Sequence, residues 1–207
     1  MDPTTLLNDP GSEILGLEEA GPDLARRYRS SSRSLRDQVG LVLDACRDSL
    51  ARQRGGPFAA AVFHLSSGEL VAGSVNLVLS SGVPVFHAEL LALSFACLRS
   101  GEPDLTGYRL VTSADPCALC VGAIHWSRVG EVITSAATSD VEAIGFDEGP
   151  RARTWAKALR ERGIEVRRGL QRKEAARLLA DYAEANGRLY GRNHSEPSAE
   201  PKGRIGS

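Results

Sequence analysis

From residue 35 onward the apolar positions switch repeatedly between two periods. Leu35, Val39, Val42, Leu43 and Cys46 recur at helical spacing and predict a helix over 35–53. Two β-prone runs follow, over 55–65 and 68–79, joined by Ser66-Ser67-Gly68, a hairpin signal. Residues 87–100 carry an apolar helical face, 108–114 read as a strand, 117–129 as a helix and 131–138 as a strand. A helix over 152–163, a short strand over 164–170 and a final helix over 173–186 complete the series. The order α-β-β-α-β-α-β-α-β-α predicts an α/β domain, a mixed five-stranded sheet sandwiched between helices.

Outside this series the periodicity is lost. Residues 1–33 mix Pro, Gly, Ser and Arg and read as a loosely ordered N-terminal arm. Residues 191–207 are polar and rich in Pro and Gly and read as a disordered tail, which leaves 34–190 as the domain. A net charge of -1 gives the whole molecule no electrostatic pull toward nucleic acid or an anionic membrane. The local arginines Arg26, Arg27, Arg29, Arg33 and Arg36 do not make an aromatic-basic platform and read as a solvated face. No apolar run approaches the roughly 18 residues of a membrane span, and the first residues lack a basic leader. The expected home is the cytoplasm. Cysteine occurs only at Cys46, Cys97, Cys117 and Cys120, too sparsely for a disulfide framework. In such a chain a C-x-x-C pair reads as metal-binding or redox-active.

His87 and Glu89 stand two residues apart at the start of one predicted helix, and Pro116-Cys117-Ala118-Leu119-Cys120 opens another. Catalytic zinc takes three protein ligands and keeps a fourth position for water. Two helix N-termini meeting over one sheet would bring His87, Cys117 and Cys120 to one ion, and the helix dipole favours the thiolates. Glu89, in the same first turn as His87, is placed to move the water's proton. Taken alone, the C-x-x-C pair serves as well for redox chemistry or half a structural site, and His87 for a packed helix cap. Together they form H-x-E followed by P-C-x-x-C, the zinc deaminase signature, with a strand between the two helices.

The segments "GGPFAAAV", "SVNLVL", "HAELLAL", "PCALCVGAIHWSRV" and "IGFDEG", over residues 35–150, resemble the guanine deaminase branch of the cytidine deaminase-like superfamily. The resemblance implies a three-layer α/β/α fold, with zinc on His87, Cys117 and Cys120 and Glu89 as proton carrier. It implies Asp140 as a second catalytic carboxylate, and Phe58, Asn76 and Trp126 as substrate-binding residues; Phe86 and Ala88, on either side of His87, are expected to bind substrate from their place beside it. The resemblance further implies a homodimer acting on a small heterocyclic base or nucleoside. Plainer readings exist: Asn76 as a turn residue ending a strand, Phe58 and Trp126 as core, Asp140 as a helix cap. The chain departs from the branch at Phe86, where a small residue is usual, and at Ala59, Asp115 and Glu148.

The expected reaction is hydrolytic loss of an amino group, as ammonia, from guanine or a related amino-substituted ring. Zinc lowers the pKa of bound water to about 7. Glu89 would carry that water's proton to the ring nitrogen and then one to the departing amine. The residues leave other readings open. They are a cytosine or cytidine deaminase, a deaminase of a specialised heterocycle, a tRNA adenosine deaminase, and a catalytically silent zinc module. The intact Glu89 speaks against the last.

Overall fold

Ser34 starts the first helix, its hydroxyl accepting the Asp37 N–H at 3.3 Å and capping α1, Leu35–Ala51. The computed structural model describes residues 32–191. Apart from Ser32 and Arg33, the expected arm lies outside the described residues, as does the expected tail beyond 191.

Strands β1, Ala59–His64, and β2, Leu70–Val75, form the expected antiparallel hairpin. The other edge of β1 pairs antiparallel with β3, Tyr108–Ala114. β4, Glu131–Ala136, and β5, Glu165–Arg167, then follow in parallel. The sheet is mixed and five-stranded, in the order β2-β1-β3-β4-β5. Each parallel step requires a crossover helix. α4, Ala118–Ser127, joins β3 to β4, and α6, Trp155–Arg160, lies between β4 and β5.

Alternation along the strands feeds two cores. Ala61, Phe63, Val75, Val111 and Ile133 face α1 and α7, Arg172–Glu184. Ala60, Val62, Ala72, Leu110 and Val132 face α3, Ala88–Ser100, together with α4 and α6. The sheet is therefore buried on both faces, which is why its strands read as continuous apolar runs. The result is the three-layer α/β/α arrangement expected from the resemblance.

Two short helices were not foreseen. The apolar stretch at 77–79 looked like the end of a strand. Instead Asn76 Oδ1 accepts the Val78 N–H at 3.1 Å and turns the chain into α2, Val78–Ser81. After β4 the chain enters α5, Thr138–Ala143. The first strand is also shorter than its run, because Gly55, Gly56 and Pro57 are poor ladder residues. Among the described residues no helix is long and apolar enough to cross a membrane.

One sheet edge collects the chemistry. Phe58 precedes β1, Asn76 follows β2 and Asp115 follows β3, so all three emerge at the same end, beside the N-termini of α3 and α4.

Candidate active site

His87 and Cys117 occupy equivalent positions, each an extended residue immediately before a helix. Cys120 lies one turn into α4. The three ligand atoms fall within 4.8 Å of one another. His87 Nδ1 is 3.4 Å from Cys117 Sγ and 3.7 Å from Cys120 Sγ. Tetrahedral zinc, with bonds of roughly 2.3 Å to sulfur and 2.0 Å to nitrogen, places neighbouring N and S donors about 3.6 Å apart. The donor set fits that ion. A hydrogen bond from the Cys120 thiol, aided by His87, outweighs burial and holds Cys117 down at about 4. Cys117 is thus a ready thiolate, the form that binds metal.

Glu89, in the first turn of α3, is buried and accepts a hydrogen bond from Thr112 Oγ1 at 3.3 Å. Burial, with the nearby Cys117 thiolate, raises its carboxyl above the ordinary glutamate range. Such a group can hold a proton and release it at neutral pH.

The cavity in front of these residues is walled by Phe58 and Phe146, whose rings meet edge to face at 5.1 Å between centroids. Tyr190 packs on Phe146 at 5.0 Å and closes another side. Asn76 is fully buried at the cavity wall. Its Oδ1 is engaged by Val78, which leaves the amide N–H₂ as the group to offer a ligand. Asn76 is thus a turn residue that also lines the cavity.

Three further carboxyl residues line the cavity: Asp115, tied to Arg168, Asp147, which accepts the Gly149 N–H, and Glu148. Glu148 Oε2 is buried with no hydrogen-bond partner among the described residues. Burial, reinforced by the Cys117 thiolate, pushes Glu148 up to about 8. A polar group left buried and unpaired is costly and points to a partner that arrives later.

Four residues expected at the site stand elsewhere. Asp140 caps α5, its Oδ2 accepting the Ala137 N–H at 2.8 Å, and is ion-paired to Arg172. It does not line the cavity. Trp126 is 80% exposed. It lies six residues beyond the inward-facing Cys120, about 240° around a helix of roughly 3.6 residues per turn, and so faces outward. Ala88 is fully buried in the core beneath α3. Phe86 is half-buried and absent from the cavity wall, and its carbonyl accepts the Leu77 N–H at 3.0 Å.

Sequence reasoning missed Glu148, Phe146 and Tyr190. Glu148 had a signal, since it sits in the "IGFDEG" segment, where an acid pair follows an aromatic residue and precedes Gly149-Pro150. Tyr190 had none, because its place depends on how the chain returns after α7.

Comparison with known proteins agrees with this geometry. Residues 35–136 match the cytidine and deoxycytidylate deaminase zinc-binding region. The crystal structure of the guanine deaminase from Nitrosomonas europaea superposes with a TM-score of 0.73 at 41% identity, over 79% of this chain and 93% of that one. A further crystal structure, solved in complex with 2,6-diaminopurine, gives 0.75 at 42% identity over 82% and 93%. The guanine deaminase of Bacillus subtilis is 38% identical over 94 residues, 45% of this chain and 59% of that protein's length. The chain belongs to the cytidine and deoxycytidylate deaminase family, a family of zinc-binding hydrolytic deaminases. Within that family its relatives put it in the guanine deaminase branch.

Proposed function

We propose that this chain is a zinc-dependent aminohydrolase of guanine or a closely related amino-substituted purine base, converting base and water to the oxo-base and ammonia. The observation that carries the reading is the cavity itself. It joins the His87–Cys117–Cys120 triangle to the buried carboxyl of Glu89 and the half-buried Glu148, beside an apolar wall of Phe58 and Phe146. Zinc held by the triangle would supply a Lewis acid and an activated water.

The chain's own residues do the rest. Phe58 and Phe146, packed edge to face, form an apolar wall against which a planar ring can lie, and exclude bulk water. Asn76 offers an amide to the ring edge and fixes its orientation. Glu89 takes a proton from the attacking water and delivers it to the adjacent ring nitrogen. Glu148, raised toward neutral pH, is suited to protonating the amine as the C–N bond breaks. Base-bound relatives support a heterocyclic base as the substrate class. A homodimer is the proposed assembly, resting on the resemblance, and light scattering tests it.

Incubating the zinc-loaded protein with guanine, guanosine, adenine, cytosine and cytidine, and assaying ammonia, tests the substrate. The reading expects guanine or another free aminopurine to lead. Exclusive turnover of cytosine or cytidine would overturn it.

A further inference from the structure

Cys117 is gripped from both sides by one short segment of chain. The Ala118 N–H donates to the Glu148 carbonyl at 3.0 Å, and Arg151 Nη1 donates to the Pro116 carbonyl at 2.8 Å. The two bonds straddle the ligand between Pro116 and Ala118. The same segment delivers the Glu148 side chain to the cavity. Between the two grips, Gly149 has φ +68°, and a Cβ there would lie 3.3 Å from Ala118 Cβ. The segment therefore lies directly against the start of α4.

Arg151 is itself held in place. Its Nη2 donates to Thr138 Oγ1 at 2.6 Å, and that hydroxyl donates onward to Asp115 Oδ2 at 3.2 Å. Asp115 is buried and also accepts from Thr134 Oγ1 at 2.7 Å and Arg168 Nε at 3.0 Å. The guanidinium groups of Arg151 and Arg168 lie 5.7 and 5.2 Å from the ring centroid of buried Trp155. A continuous polar chain, Arg151–Thr138–Asp115–Arg168, thus brackets the Asp115-Pro116 approach to Cys117. Arg151 reaches the carbonyl and the hydroxyl with two separate nitrogens of its planar fork, a geometry that the single ammonium nitrogen of lysine does not reproduce.

We infer that Arg151 is a positioning residue that locks Cys117 and Glu148 into one unit, so that metal retention and placement of the Glu148 carboxyl group are set together. The inference rests on the reading of His87, Cys117 and Cys120 as metal donors. Groups that orient metal ligands from outside typically affect metal affinity or activity by about 10- to 100-fold when removed. Loss of Arg151 frees the Pro116 carbonyl and with it the segment that carries Glu148. Phe58 and Asn76, on other elements, are untouched.

The test measures zinc affinity by chelator competition in Arg151→Gln and Arg151→Lys, alongside thermal stability. Cobalt-substituted protein supplies a second readout, the thiolate charge-transfer band. Both variants should bind zinc about 10- to 100-fold more weakly, shift the cobalt band, and lose kcat with little change in KM. Thr138→Val, which removes one of the two Arg151 contacts, should weaken zinc binding less, in the same direction. Arg153→Gln is the control and should match wild type. Wild-type zinc affinity and an unshifted cobalt band in folded Arg151 variants would overturn the inference, even if melting temperature falls. If Arg151→Gln does not fold, Arg151→Lys and Thr138→Val decide by the same measurements. A wild-type protein that binds no zinc overturns it as well. A wild-type protein that binds zinc but deaminates no base defeats the proposed substrate alone, since the zinc measurements still decide the role of Arg151.

Discussion

Arg172 holds both carboxylate oxygens of Asp140, Nε to Oδ2 at 2.8 Å and Nη2 to Oδ1 at 2.9 Å. With the Ala137 N–H also bound, that carboxylate is committed to fastening α5 and α7, whereas Glu148 lines the cavity with an oxygen that has no partner among the described residues. Asp140→Asn should therefore keep turnover near wild type while losing about 1 kcal/mol of stability, the scale of a cap plus an exposed ion pair. Glu148→Gln should do the reverse, keeping at least the wild-type stability and lowering kcat by a factor of roughly 10² or more. Steady-state kinetics and thermal melts on both variants check the assignment. A larger kcat loss in Asp140→Asn than in Glu148→Gln would reverse it.

Glu89→Gln keeps the side chain's shape and its contact with Thr112 but cannot shuttle protons. Zinc content should stay at the wild-type level while kcat falls by roughly 10² to 10⁴. Metal analysis and ammonia assays on the same preparation separate this from a metal effect. Loss of zinc together with activity would make Glu89 a structural support of the triangle instead.

How far the sequence could be read depends on the range of the interaction. His87, Cys117, Cys120 and Glu89 were legible because each pair lies within one helical turn, where spacing dictates geometry. Asn76 was legible because a strand end beside a hairpin has few places to go. Glu148 was not, since its cavity position depends on a carbonyl bond to Ala118 some thirty residues away in the chain. Trp126 was misplaced for a different reason. Its neighbours resemble the guanine-type branch, yet the phase of α4, fixed by Cys120, Ile124 and Ser127 facing inward, turns it to the surface. The short helices α2 and α5 are capped by side-chain to backbone bonds, among them those of Asn76, Asp140 and Asp115, which periodicity does not report.

The raised Glu148 carboxyl also makes a pH prediction for the metal-free protein. An unfolded glutamate titrates near pH 4.3, whereas burial holds folded Glu148 at about 8. Between those values the folded state binds more protons, so stability falls as pH rises. The contribution is complete below about pH 4.3 and gone above about 8. Chelator-treated Glu148→Gln should therefore show a flatter decline in melting temperature over this window than chelator-treated wild type. Parallel curves for the two proteins would mean that Glu148 is not the titrating group.

Gly56 and Tyr190 supply a last test, of the cavity's shape. A Cβ at Gly56 would lie 2.2 Å from Tyr190 Oη and 2.8 Å from its Cε1. Contacts that short cannot persist, so Gly56→Ala must move either the backbone or the ring. The backbone is the stiffer option, because Phe58 N–H bonds the Gly56 carbonyl at 2.9 Å just ahead of β1. The ring should yield, and its edge contact with Phe146 goes with it. With one cavity wall displaced and the triangle untouched, KM for the base should rise on the order of tenfold, equivalent to about 1.4 kcal/mol. Zinc content should not change. Tyr190→Phe separates the ring from its hydroxyl, whose oxygen is buried without a partner among the described residues. If that hydroxyl meets the substrate, Tyr190→Phe raises KM too; if the ring acts only as a wall, KM stays at the wild-type value. An unchanged KM in Gly56→Ala would show that Tyr190 does not shape the substrate cavity at all.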